Sequence, residues 1–105
     1  MTTFDDRKDA FENKFAHDQD LKFKIMSRRN RLLGQWAAEA LGKTGDDAVI
    51  YARTVADAGF AEDGDTGVLR KVAADLAGNG VTEPQVRARM QDLLAVAAVQ
   101  ISAGT

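Results

Sequence analysis

The sequence has no cysteine, a single proline and a single histidine among its 105 residues. Without thiols the chain can form neither a disulfide nor a thiolate metal site, so packing alone must hold the fold. The two serines, Ser27 and Ser102, and one histidine leave little for a hydrolytic triad, which needs a nucleophile activated by histidine. We therefore expect a protein that is not an enzyme and that holds no metal and no obligate cofactor.

Long apolar runs and a strong charge of one sign are also missing. No run approaches the roughly 20 apolar residues that cross a bilayer, so direct membrane insertion is not expected. The acidic start of the chain lacks the basic and apolar regions of a signal peptide. The formal net charge of −2 argues against broad attraction to nucleic acid or to anionic membranes. We expect a protein that stays in the compartment where it is made.

Glycines separate segments in which apolar residues recur at helical spacing. The first helix is predicted over residues 21–41, with Asp20 as its N-cap and Gly42 as the left-handed residue that ends it. Its apolar residues recur at helical spacing and form a stripe that neighbouring apolar positions widen. The stripe consists of Leu21, Ile25, Leu32, Trp36 and Ala40, with Leu33, Ala37 and Leu41 at its margin.

A second helix is predicted over residues 46–58. Thr44 should cap it, and Gly59 followed by Phe60 should end it in a Schellman motif with the ring folded back on the last turn. The face of this helix carries small side chains, which allow a neighbouring helix to approach closely. They are Ala48, Ala52, Val55 and Ala56.

Two further helices complete the pattern. The third is predicted to begin near Val68 and to be stopped by Gly78-Asn79-Gly80. The fourth opens with a capping box formed by Thr82 and Gln85. Four amphipathic helices with short connections predict a four-helix bundle over residues 20–105.

The first 19 residues differ from the rest and are predicted to form an arm. Phe4, Phe11 and Phe15 are spaced at i, i+7 and i+11, so one helical face carries all three rings while charged residues surround it. A helix of this length is marginal in water unless its apolar face packs on something. Either the bundle or a partner protein supplies that surface, and the pattern alone does not choose between them.

The first half of the first predicted helix is strongly basic. Its cationic residues are Lys22, Lys24, Arg28, Arg29 and Arg31. Nucleic acid, anionic lipid and nucleotide phosphates are conceivable ligands. We favour a polar face balanced by the acids of the arm and of neighbouring helices, because the stretch is short and lacks stacking motifs. The alternative is a nucleotide-sensing, small-ligand-binding bundle, in which Lys24, Arg28 and Arg31 bind a purine nucleotide weakly.

Three short motifs fail as ligand sites. Gly42-Lys43-Thr44 follows a helix and not a strand, so it does not make a phosphate-binding loop. The acidic loop at 62–67 has the wrong register for calcium. His17 with Asp18 and Asp20 could hold a metal, but we favour a solvated residue before the first helix.

Three stretches carry a family likeness: Phe11-Glu12-Asn13-Lys14-Phe15-Ala16-His17-Asp18, Leu21-Lys22-Phe23-Lys24, and Arg28-Arg29-Asn30-Arg31-Leu32-Leu33-Gly34-Gln35-Trp36-Ala37-Ala38-Glu39. They resemble the ζ subunit of alpha-proteobacterial F1Fo-ATP synthase. The likeness extends over most of the chain in length and helix order. It is most specific between Phe11 and Glu39.

This resemblance implies an all-α four-helix bundle preceded by a mobile, partly helical N-terminal arm, with the boundary between residues 1–19 and 20–105. It implies a regulatory inhibitor of F1-ATPase whose arm inserts as a helix at an α/β catalytic interface and blocks ATP hydrolysis. The implied partners are the F1 α and β subunits, and the free chain is expected to be a monomer. The implied location is the cytoplasm, peripheral at the inner membrane through F1. Carried over by position, the partner-binding residues are Phe4, Asp5, Arg7, Lys8, Phe11, Glu12, Lys14 and Phe15.

Overall fold

The computed structural model describes the backbone of residues 3–104 and the side chains of residues 19–104. Four α-helices follow one another: α1 over Thr3–Ala40, α2 over Gly45–Ala58, α3 over Asp65–Leu76 and α4 over Glu83–Ser102. A short 3-10 turn at Ala77–Asn79 follows α3. The described backbone contains no strand, so the predicted all-α class is confirmed.

Helix α1 is the element around which the other helices pack. It contacts α2 and α4 most extensively, and α3 completes the bundle by packing against α2, α4 and α1. All four helices contribute apolar side chains to one core, which confirms the predicted bundle. The buried members of the core are Leu33, Ala37, Val55, Val68, Val72, Leu76, Val86 and Met90.

The buried stripe of α1 is rotated relative to the prediction. Leu33 and Ala37, expected at its margin, are fully buried, whereas Leu32 and Trp36 are only half-buried. The prediction assumed that α1 packs on one side only. In the structure α1 packs against both α2 and α4, so its buried residues are those that face both neighbours. The indole of Trp36 instead makes a cation–π contact with the guanidinium of Arg89, which lies 5.2 Å from the ring centroid.

Helices α1 and α2 meet at their backbones. A Cβ added at Gly34 would lie 2.7 Å from the Cα of Ala52 and 2.9 Å from its carbonyl oxygen. Only a glycine fits at such a distance, because no flexible side chain is there to move aside. The small-residue face predicted for α2 is therefore confirmed at Ala52.

Two predicted helix ends are confirmed. Gly42 has φ +75° and follows α1, where the amide of Lys43 donates to the carbonyl of Ala38 over 2.9 Å in the Schellman pattern. At the start of α4, the Thr82 hydroxyl accepts from the amide of Gln85 at 3.3 Å. The Gln85 side-chain oxygen in turn accepts from the Thr82 amide at 2.9 Å.

Other expected helix ends differ from the structure in position or in detail. Asp20 is not an N-cap, because α1 runs through it without a break. Thr44 is the N-cap of α2 as predicted but forms no side-chain capping bond, and α3 begins earlier than expected, at Asp65. Gly59 has φ −68°, so it is not a left-handed terminator. A Cβ at Gly59 would collide with the Nδ2 atom of the buried Asn30, so a larger residue there would force that side chain to move.

The contact between α1 and α2 predicts the effect of adding one methyl group at position 34. Gly34→Ala should destabilise the fold by about 1–2 kcal/mol, because the overpacking of a backbone contact exceeds the helix-propensity gain of alanine. Urea unfolding measures the difference. Gly78→Ala is the matched control, since a Cβ there meets nothing within 4 Å, and its effect should stay within about 0.5 kcal/mol. Equal stability of the two variants would contradict the close contact.

Tyr51 connects α2 to α3. Its hydroxyl donates to Asp75 Oδ2 over 2.8 Å, and Lys71 Nζ lies 3.1 Å from the same oxygen. Lys71 and Lys43 also lie over the ring, 5.3 Å and 5.9 Å from its centroid. Burial raises the pKa of the Tyr51 phenol above its ordinary value, and the hydrogen bond to Asp75 and the charge of Asp75 raise it further.

This raised pKa predicts a loss of stability in alkali. The unfolded chain releases the phenolic proton near about pH 10, whereas the folded chain retains it. The stabilisation is therefore complete below about pH 10 and decreases as the pH rises above that value. We expect the stability difference between the native chain and Tyr51→Phe, about 1 kcal/mol at neutral pH, to shrink above pH 10 in urea titrations.

Absorbance provides an independent check of the same titration. The sequence contains one tyrosine, so the tyrosinate signal belongs to Tyr51 alone. An ordinary tyrosine midpoint in the folded chain would contradict the hydrogen bond to Asp75.

Candidate functional site

The predicted partner-binding residues of the arm lie outside the residues whose side chains the structure describes. These are Phe4, Asp5, Arg7, Lys8, Phe11, Glu12, Lys14 and Phe15. His17 and Asp18, weighed as metal ligands, also lie outside that range. Among residues 19–104, no three histidine or acidic side chains come together in a way that could hold a metal ion.

The three residues named for a nucleotide have different neighbours in the structure. Lys24 Nζ lies 3.3 Å from Asp20 Oδ2, in an exposed ion pair one helical turn away. The Arg28 Nη1 group donates to Gln100 Oε1 of α4 over 2.8 Å. Arg31 is exposed and lines a groove between α1 and α2. The structure therefore places each cation in a different environment.

Arg29, predicted on the polar face, is buried with only 3% of its surface exposed. Its Nη2 lies 2.5 Å from Asp65 Oδ1 at the start of α3, and its Nε donates to Asn30 Oδ1 over 2.8 Å. The carboxylate of Asp65 also suits the positive end of the α3 dipole. The predicted balance of the basic stretch by neighbouring acids is thus confirmed for Arg29, but its position on a solvated face is wrong.

The main concave surface of the described residues is a groove of about 670 Å³ between α1 and α2. The two helices are antiparallel, so the start of α2 lies beside the end of α1 and the end of α2 lies beside Phe23. Three alanines of α2, one turn apart, line the groove: Ala48, Ala52 and Ala56. Small side chains in this position let a bound chain approach the helix closely.

Exposed apolar side chains stand at the two ends of the groove. The rings of Phe23 and Phe60 pack with centroids 5.8 Å apart and a tilt of 42°, yet they remain 54% and 66% exposed. Phe60 therefore packs against Phe23 of α1. Val49, 59% exposed, lines the other end. Such apolar surface is typical of a site that another protein covers.

Charged side chains occupy the middle and the rim of the groove. Arg31 of α1 and Arg53 of α2 line it, and neither makes a hydrogen bond or ion pair among residues 19–104. The acids that line it are Glu39, Asp57 and Asp65, the last of which is paired with Arg29. The groove is thus mixed in charge, with two unpaired guanidinium groups between apolar ends.

This groove was not predicted from the sequence. Phe23 falls inside the stretch that carries the family likeness, but its ring was not assigned to a site. Arg53 was not singled out, although it is the only cation on α2. The available signal was the run of Val49 and Ile50 outside the apolar stripe of α2, since surplus apolar residues on an outer face indicate a contact surface.

Among the described residues no helix is both long enough and apolar enough to span a bilayer. The described part is a helical bundle with exposed apolar and charged side chains along one groove, which is typical of a protein that binds another protein. The family model for ATPase inhibitor subunit zeta matches residues 1–100. The chain therefore belongs to this family.

Membership gives the coarse function. The chain is a regulatory, non-catalytic subunit that inhibits an ATPase, and its family implies interaction with an ATP synthase F1 complex. A solution NMR structure shares 46% sequence identity with the chain and covers 81% of this chain and 99% of its own, with a TM-score of 0.72. None of the curated proteins compared matches the chain.

Because Asp65 pairs with the buried guanidinium of Arg29, we expect Asp65 to contribute more to stability than its neighbour Asp63. Asp65→Asn should destabilise the fold by about 1–2 kcal/mol, because it leaves Arg29 without a counter-charge, although water can reach the half-exposed partner position. Asp63→Asn is the matched control. Asp63 lies 3.9 Å from Arg70 in an exposed pair, so its loss should change stability by less than about 0.5 kcal/mol. Thermal unfolding of both variants tests this, and equal effects would contradict the role of the Arg29–Asp65 pair.

Proposed function

We propose that residues 1–19 are the inhibitory element and that they insert as a helix at an α/β catalytic interface of the F1 head. The observation that carries this proposal is the family match over residues 1–100, which includes the arm as well as the bundle. The proposed contacts are those carried over by position: Phe4, Asp5, Arg7, Lys8, Phe11, Glu12, Lys14 and Phe15.

The core of the bundle supports this separation of roles. Every buried hydrophobic side chain among residues 19–104 lies at position 33 or later. Residues 19–28 of α1 are exposed or half-buried. The described core draws on all four helices from residue 33 onward, so we propose that a chain lacking residues 1–19 keeps its fold.

Aromatic burial accounts for the energy of insertion. Ordering a segment on binding costs about 2–5 kcal/mol, and each fully buried phenylalanine returns about 1.5–3 kcal/mol. Three rings on one helical face can therefore offset the ordering, with the flanking charges pairing at the rim. A helix held between α and β subunits would stop that interface from closing, and hydrolysis would stop with it.

The arm proposal predicts a large loss of inhibition from two substitutions. Phe11→Ala with Phe15→Ala should raise the concentration for half-inhibition of the cognate F1-ATPase by roughly 100-fold, because both anchoring rings are lost. ATP hydrolysis by purified F1 is the measurement. Val96→Ala with Val99→Ala, two exposed apolar residues of α4, is the control and should inhibit normally.

A truncated chain separates folding from inhibition in the same assay. Without residues 1–19 the protein should keep its helical circular dichroism and its unfolding transition but fail to inhibit. Inhibition by the truncated chain equal to that of the whole chain would defeat the proposal.

We infer the location and the free state from the proposed target. The catalytic head of a bacterial ATP synthase faces the cytoplasm, so an inhibitor of that head is a cytoplasmic protein held at the inner membrane through F1. The free chain is proposed to be a monomer, because the bundle buries one core without a second copy.

As a second candidate function, we propose that a purine nucleotide binds the basic half of α1. One observation favours this binding and two weaken it. Arg31 has no partner among the described residues, but Lys24 and Arg28 are engaged by Asp20 and Gln100. Titration with ATP or ADP should shift the amide resonances of residues 24–31 if a nucleotide binds there. The absence of such shifts would eliminate this alternative.

A further inference from the structure

We propose that the groove between α1 and α2 is a second docking surface for F1, and that it receives an amphipathic helix with a carboxylate at its centre and apolar residues at both ends. This inference rests on the proposed function, because F1 is the partner that it names. It assigns binding to the bundle in addition to the arm.

The two unpaired guanidinium groups determine the centre of the occupant. Arg31 and Arg53 line opposite walls of the groove, and neither has an ion pair or hydrogen bond among residues 19–104. Arg29, which is buried and does not line the groove, is paired with Asp65. A carboxylate placed between the free guanidinium groups would accept charge-assisted hydrogen bonds from both walls.

The apolar ends determine the flanks of the occupant. Phe23 and Phe60 form a paired aromatic surface that is more than half exposed at one end, and Val49 is 59% exposed at the other. An occupant with apolar residues one to two turns on either side of its carboxylate would cover both ends. Aromatic and arginine side chains are also the residue types that contribute most to protein interfaces.

The floor of the groove favours a helix over an extended chain. Ala48, Ala52 and Ala56 repeat at i, i+4 and i+8 along α2 and leave a shallow row of methyl groups. A helix can pack its own ridge along such a row at a short interaxial distance. The Gly34–Ala52 contact fixes the position of this row relative to α1.

The acidic residues of the groove restrict the charge of the occupant beyond its central carboxylate. Glu39 and Asp57 also line the groove and have no partner among the described side chains. Asp57 follows Arg53 by one turn and Glu39 follows Arg31 by two turns. A uniformly acidic helix would be repelled at these positions, so the occupant carries basic residues beyond its central carboxylate.

A charge reversal in the full-length chain tests the inference. Arg31→Glu with Arg53→Glu should weaken binding to the cognate F1 by about tenfold or more. At saturating concentration the same variant should still reach the full inhibition of the native chain, because the arm is intact. Arg70→Glu with Arg87→Glu is the matched control. It changes the net charge equally at exposed arginines outside the groove, and its binding should stay within about twofold of the native chain.

Alanine methyl signals locate the contact directly. In a complex of labelled chain with deuterated F1, cross-saturation should reach Ala48, Ala52 and Ala56 and spare Ala74 and Ala88, which are exposed on other faces. Saturation confined to residues outside the groove, or native affinity of the Arg31/Arg53 variant, would overturn the docking proposal.

Two further measurements distinguish a failure of the groove proposal from a failure of the proposed inhibition and from binding of another copy's arm. A native chain that binds F1 without inhibiting it would refute the proposed inhibition, while the affinities and methyl signals would still test the groove. Groove shifts caused by a peptide of residues 1–18, without F1, would show that another copy's arm is the occupant and would overturn the docking of an F1 helix.

Discussion

The backbone contact between Gly34 of α1 and Ala52 of α2 is the constraint on which the other features depend. It brings the two helices close enough for Leu33 and Ala37 to join Val55 in one core. Ala52 belongs to this contact and also lines the groove. The packing that stabilises the bundle therefore also fixes part of the floor of the groove.

Helix α3 is attached in a different way. It is fastened by one carboxylate near each end: Asp65 pairs with the buried Arg29 of α1, and Asp75 accepts the hydroxyl of Tyr51 from α2. The buried Val68 and Val72 lie between these two polar contacts, and the buried Leu76 follows Asp75. Directional contacts at the ends orient the helix, and burial along its length supplies most of the stabilisation.

Much of the fold could be predicted from spacing, and the failures have physical causes. Gly42 and the Thr82–Gln85 capping box were correctly predicted because their effect is local to the chain. Gly59 was assigned a left-handed conformation, whereas its φ is −68° and its close neighbour is the side chain of Asn30, which is distant in sequence. Asp20 resembles an N-cap in isolation, but capping preference does not show whether the preceding residues continue the helix.

The groove depends still more on tertiary structure. Phe23 and Phe60 are far apart in sequence, and their pairing follows from the antiparallel packing of α1 and α2. Likewise, nothing in the run of cations between Lys22 and Arg31 distinguishes the buried Arg29 from the exposed Arg31. Sequence pattern identifies which residues are charged, while the partners of those charges come from helices elsewhere in the chain.

The proposed function requires that the arm, residues 1–19, is the part of the chain that enters F1. Hydrogen exchange with mass spectrometry, comparing the free chain with its F1 complex, tests this most directly. The account predicts that peptides covering residues 1–19 take up markedly less deuterium in the complex, while core peptides around Val72 and Leu76 are unchanged. Unaltered uptake over residues 1–19 in a saturated complex would contradict it.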